Sequence, residues 1–136
     1  MSVPAGERGE SKFKLLIDAR NLAVYTIQIC CNQNVFLPIY QNALTNNIIR
    51  VATLIYMNIW NANNIMVKSA DDLQERKEYQ KTVIKYCNNL LALMEIAKTL
   101  FHLSSKRIKY WGGCTIEVRN ATRAWIDSDR KRFRFE

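Results

Sequence analysis

At 136 residues, 49% of them hydrophobic and 24% charged, the chain is long enough to bury one core and too short for two. It has four glycines and two prolines, Pro4 and Pro38, so roughly the last hundred residues carry no proline. That excludes an all-β domain, which needs a turn signal every ~8 to 12 residues. A formal charge of +8 and a pI near 9.5 point to polyanions or acidic partners.

The excess charge is uneven: residues 1–103 hold 11 basic and 8 acidic side chains, residues 104–136 hold 9 and 4. Of the four cysteines, Cys30 and Cys31 are adjacent and no C-x-x-C occurs, so the expectation is buried reduced thiols rather than a zinc ribbon or a disulfide framework. No apolar run approaches the ~18 residues of a membrane span, and the polar start MSVPAGERGESK has no apolar signal region. A cytoplasmic protein is expected.

Residues 1–11 read as a flexible leader, and residues 12–136 as one domain with a short basic tail. Leu15, Ala19, Leu22, Thr26 and Ile29 then step by 4 and 3, which predicts a first helix over about 12–33. It ends near "NQNVFLP", because the residue before Pro38 is pushed out of the helical region. Pro38 suits a first turn, and Ile48, Ala52, Ile55, Ile59, Ala62 and Met66 predict a second helix over about 39–66.

Ser69 followed by Asp72 resembles a capping box opening a third helix, about 70–102, with Leu73, Val83, Cys87, Leu90, Met94, Ala97 and Phe101 on its seam. Ser104 or Ser105 caps the fourth. Ile108, Trp111, Thr115, Val118, Thr122 and Trp125 keep one phase straight across Gly112 and Gly113. A break would shift that phase, so one helix is predicted over about 105–131. The expected fold is an all-α, antiparallel up-down-up-down four-helix bundle.

Catalysis finds little support. His102 is the one histidine and sits at a helix end, where a role beside the C-terminal dipole is expected; no multi-histidine metal site, E-x-x-H motif or phosphate loop can be built. No catalytic residue, metal or cofactor is therefore assigned.

Basic side chains do form rows: Lys77, Lys81 and Lys85 on the third helix, and Arg119, Arg123 and Arg130 on the fourth. Lys106, Arg107 and Lys109 cluster at the fourth helix's start, and Lys131, Arg132 and Arg134 lie at its end. Such rows suit phosphate contacts on RNA, an RNA/DNA hybrid or DNA, with salt-sensitive and weakly sequence-specific binding. Tyr110, Phe133 and Phe135 are placed to stack on unpaired bases. Tyr25, Phe36, Tyr40, Tyr56 and Trp60 exceed what a narrow seam needs and predict a homo-oligomer interface, placed at Phe36, Tyr40, Tyr56 and Trp60.

The segments "FLPIY" (Phe36 to Tyr40), "NIWNAN" (Asn58 to Asn63) and "KYWGGCTIEVRNATRAWIDSDR", with Tyr110, Trp111, Glu117, Val118 and Trp125, give a resemblance over residues ~13–131. The chain resembles the accessory variability determinant (Avd) proteins of diversity-generating retroelements, within the four-helix-bundle group that includes ribosomal-RNA intervening-sequence proteins. The resemblance implies a non-enzymatic, pentameric, barrel-shaped assembly that binds the element's reverse transcriptase and its template RNA to support mutagenic copying. The competing expectation is a four-helix-bundle protein-interaction adaptor that does not touch nucleic acid.

Overall fold

The structure is a computed structural model and describes residues 5–135. Among them are four α-helices and no strand: α1 Ala5–Cys30, α2 Asn46–Asn64, α3 Ala70–Phe101 and α4 Ser105–Arg132. α1 packs on α2 and α4, α2 on α3, and α3 on α4, so the four helices share one core. No helix among the described residues is long and apolar enough to cross a membrane.

α1 starts at Ala5, not near residue 12. The expected leader is therefore helical from residue 5 onward, while residues 1–4 lie outside the described residues, as does residue 136 of the expected tail. Between Ala5 and Ser11 the poor helix formers are Gly6 and Gly9, at about 1 kcal/mol each, and no proline interrupts the segment. α1 stops at Cys30 rather than 33, where the Asn32 side chain accepts the Asn34 N–H at 3.1 Å and turns the chain.

Leu37 is extended (φ −59°, ψ 134°), as a residue before proline should be, and Pro38 opens a single 3₁₀ turn to Tyr40. One π-turn, Gln41–Thr45, follows before α2 becomes regular at Asn46. The second helix is thus α-helical later than the expected residue 39. It also ends earlier: Ile65 is extended (φ −81°, ψ 118°), and Met66, expected on the seam, lies beyond the helix and is 72% exposed.

α3 begins as its capping pair predicts. Ser69 Oγ accepts the Asp72 N–H at 3.2 Å, and the Asp72 carboxylate accepts the Lys68 N–H at 3.0 Å. It ends at His102, whose backbone is left-handed (φ 55°, ψ 46°), and the Leu103 N–H returns to the Lys98 carbonyl at 3.2 Å. His102 is therefore the cap residue itself. Ser104 starts α4 by accepting the Arg107 N–H at 3.2 Å.

α4 runs unbroken through Gly112 and Gly113. A Cβ at 112 would meet only Leu91 Cδ2 at 3.9 Å and Met94 Sδ at 4.0 Å, and one at 113 would meet nothing within 4 Å. Neither glycine is demanded by close packing. Two mid-helix glycines cost about 2 kcal/mol together, and the fully buried Trp111 offsets this with about 5 kcal/mol from ~200 Å² of hidden surface.

Phe36, expected at an oligomer interface, folds inward instead, and Tyr40, expected there too, is half-buried beside it. Phe36 is 2% exposed, with its ring 4.8 Å from Phe101 and 6.4 Å from Trp111, and Tyr40 lies edge-on to Phe101 at 5.9 Å. The 31–45 connection thereby closes one end of the core. Trp111 Nε1 donates to Thr26 Oγ1 at 2.9 Å, and that hydroxyl donates to the Leu22 carbonyl at 2.8 Å. The indole's polar edge is satisfied in the middle of the bundle.

Candidate nucleic-acid interface

The two basic rows predicted on α3 and α4 flank one seam. Arg119 Nη1 donates to Asn88 Oδ1 at 2.9 Å across that seam, which fixes where the rows meet. One turn on from Asn88 and Arg119 lie Lys85 and Arg123, and further along stand Lys81, Lys77 and Arg130, because steps of three or four residues keep to one helix face. Burial pushes the Cys87 thiol up to about 12, against the opposing fields of Arg119 and Arg123, so both arginines act on one point beneath the seam.

Lys81, Lys85, Arg123 and Arg130 are exposed, while Lys77 and Arg119 are half-buried. Among the described residues, Asp127 is the only carboxylate at ion-pair distance from any of these six: Arg130 Nη2 lies 3.3 Å from Asp127 Oδ1, with the two side chains 71% and 62% exposed. A pair so open to water contributes well under about 1 kcal/mol. The face keeps a positive excess, with Asp127 and, three residues before Lys81 on α3, Glu78 as its nearby acids.

The remaining candidates lie elsewhere. Lys106 and Lys109 line a groove of about 630 Å³ between α1 and α4, in the company of Asp18 and Glu117. Arg107 is half-buried in the first turn of α4. Arg132, at the other end of the helix, holds its guanidinium 4.8 Å from the Phe133 ring centre, and Phe133 stacks in parallel on Phe135 at 6.3 Å. Tyr110 is 59% exposed and lines the groove rather than the α3–α4 seam.

Three residues of this region were not anticipated. Arg76 Nη1 donates to Asp129 Oδ1 at 3.0 Å, Gln80 Nε2 donates to Asp129 Oδ2 at 3.0 Å, and Arg76 Nη2 donates to the Ile65 carbonyl at 2.7 Å. Arg76 and Asp129 are each 4% exposed, and the guanidinium lies 5.6 Å from the Trp125 ring centre and 5.7 Å from that of Phe133. The signal was present in the sequence: Gln80 and Arg76 continue the Val83 seam backward, and Asp129 continues the Trp125 seam forward. Polar residues in phase with an apolar seam are the mark of a buried network.

On α2, Tyr56 is half-buried and its ring centre lies 6.2 Å from that of Trp60, which is 52% exposed beside Met57 at 50%. Of the four interface candidates, Phe36 is buried, Tyr40 and Tyr56 are half-buried against the core, and Trp60 is exposed. Cys30 and Cys87 are buried, as expected of the thiols, but Cys31 is exposed and Cys114 half-buried. Burial likewise pushes Cys30 up to about 12. No group of three or more His, Cys, Asp or Glu placed to hold a metal ion occurs among the described residues.

Comparison with known protein families, with curated proteins and with solved structures finds no match.

Proposed function

We propose that the protein is a non-enzymatic nucleic-acid-binding accessory, of the kind the Avd resemblance implies, that joins a reverse transcriptase to its template RNA during mutagenic copying. The observation that carries this reading is the α3–α4 face, where Lys77, Lys81, Lys85, Arg119, Arg123 and Arg130 flank one seam and, among the described residues, Asp127 alone lies at ion-pair distance from any of them. A row of cations tracks a phosphate backbone by releasing condensed counterions, so affinity should fall steeply with salt. The reading takes the four helices as an antiparallel up-down-up-down bundle. In support, contacts between Arg76 and Asp129, Asn88 and Arg119, and Leu91 and Gly112 run in opposite senses along α3 and α4.

The same reading makes the protein cytoplasmic and a homo-oligomer, a pentamer by resemblance, with Trp60, Met57 and Tyr56 on the α2 side offered to a neighbouring copy. Repetition of the basic face around such an assembly multiplies modest phosphate contacts into avidity. Replacing Arg119, Arg123 and Arg130 together with Glu is expected to abolish RNA binding while helicity and assembly mass stay unchanged. RNA binding that persists with the same salt slope overturns the assignment.

A protein-interaction adaptor is the second reading, favoured by one observation: α2 carries a single charged residue, Arg50, and leaves Trp60 and Met57 exposed. Titrating binding to RNA and to a purified reverse transcriptase against salt separates the two, since counterion release predicts the steeper loss for RNA.

A further inference from the structure

The groove between α1 and α4 has a makeup unlike the basic face. Its volume is about 630 Å³, within the usual range of a small-ligand site. Tyr110 and Tyr25 meet edge-to-face at 5.0 Å in its wall. A hydrogen bond with Cys114 pushes the Tyr110 phenol up. Gly113 lines the groove with nothing within 4 Å of where a Cβ would stand, so any side chain at 113 would project into open space. The charges are mixed: Lys106 and Lys109 with Asp18 and Glu117.

That mixture selects among ligands. A polyanionic backbone laid along the groove would run against Asp18 and Glu117, so the groove is a poor track for phosphates. A planar, uncharged group suits it, with aromatic rings to stack on, the Glu117 carboxylate to accept a hydrogen bond while Asp18 holds Lys14 at 2.6 Å, and lysines to hold an attached phosphate. The geometry points to a socket for one unpaired nucleotide of a single-stranded RNA, its base on Tyr110 and its phosphate on Lys106 and Lys109. This rests on the RNA reading above and adds a stacking contact, which duplex RNA cannot make, to the electrostatic one. It also accounts for glycine at 113, where a side chain would occupy the socket.

The test compares a short single-stranded RNA with its duplex, by fluorescence anisotropy, against the full chain and its variants. Gly113→Leu fills the groove from an exposed position, and Tyr110→Ala removes the stacking ring. Each is expected to weaken single-strand binding about tenfold and to leave duplex binding and the salt slope unchanged, while Tyr110→Phe binds as the parent does. Gly113→Leu and Tyr110→Ala proteins that bind the single strand normally, or that lose single strand and duplex equally, overturn the socket. If those two variants bind normally while the Arg119, Arg123 and Arg130 to Glu variant does not, the basic-face reading stands and the socket alone falls. A parent protein that binds neither RNA overturns both.

Discussion

α2 and α4 contribute to the same core with opposite chemistry. The buried residues of α2 are Ile48, Val51, Ala52, Ile55, Ile59 and Ala62, all aliphatic, whereas α4 buries Trp111, Gly112, Thr115, Val118, Thr122, Trp125 and Asp129. Their outer faces invert the contrast: α2 has one charged residue, and α4 has eight basic and, apart from the buried Asp129, two acidic ones. α2 is held by transferred area, which is non-directional and tolerant. α4 is held by area plus hydrogen bonds whose partners must stay in place. A helix that gives its surface to charge keeps its address in the bundle through such directional contacts, and α2, with none to spare on its seam, leaves its apolar surplus facing outward.

The contrast breaks most sharply at Asp129. Asp129→Ala leaves the Arg76 guanidinium buried without its carboxylate and is expected to cost about 3–5 kcal/mol, read as a lowered midpoint in chemical denaturation. Asp127→Ala, two residues away on the surface, should shift it by less than about 0.5 kcal/mol. Equal effects from the two would end the argument for a directional α4.

Thr26→Val comes next. It keeps the shape at the α1–α4 contact but strands the Trp111 indole N–H, at an expected cost of about 1–3 kcal/mol. On α2, Ile55→Val removes one methyl from a fully buried aliphatic site and should cost about 0.5–1.5 kcal/mol with no loss of cooperativity. Gly113→Ala works in the other direction: with open space above it, the change should stabilise the protein by about 0.5–1 kcal/mol. Calorimetric melting of the three variants ranks them.

The smallest effect at ordinary pH comes from the buried thiols. Cys30 and Cys87 are raised from an ordinary value of 9.0 to about 12, so above pH 9 the unfolded thiols ionise while the folded ones stay protonated. Their contribution is complete below pH 9 and is lost as pH rises toward 12. Stability measured across that window should fall, and less steeply in Cys87→Ala. Iodoacetamide at pH 8 should label Cys31 well before Cys87.

The helical seams were legible because the evidence for them is local. Ile55 and Ile59, or Trp111, Thr115 and Val118, announce a buried face by spacing alone, and the unbroken phase across residues 112 and 113 predicted α4 correctly. Helix ends were less legible: α1 reaches back to Ala5 through a segment that looked like a leader, and Met66 continues the α2 pattern after the backbone has turned away. Periodicity persists past a helix end, whereas caps and turns depend on single backbone angles. Arg76, Gln80 and Asp129 were overlooked because a seam search counts apolar residues, although all three were in phase.

By itself, then, the sequence determined four helices, most of the stripe each one buries, the capping of α3 and α4 and the excess of positive charge toward its end. All of these follow from interactions reaching no more than a turn along the chain. Tertiary structure alone decided which stripes became neighbours: it put Arg76 against Asp129, 53 residues away, and Thr26 against Trp111, 85 residues away. It also drew Phe36 into the core, and it separated Lys106 and Lys109, in a groove with carboxylates, from the cations of the α3–α4 seam. Spacing along a helix sets the direction in which a side chain points; what it meets there depends on how the helices pack.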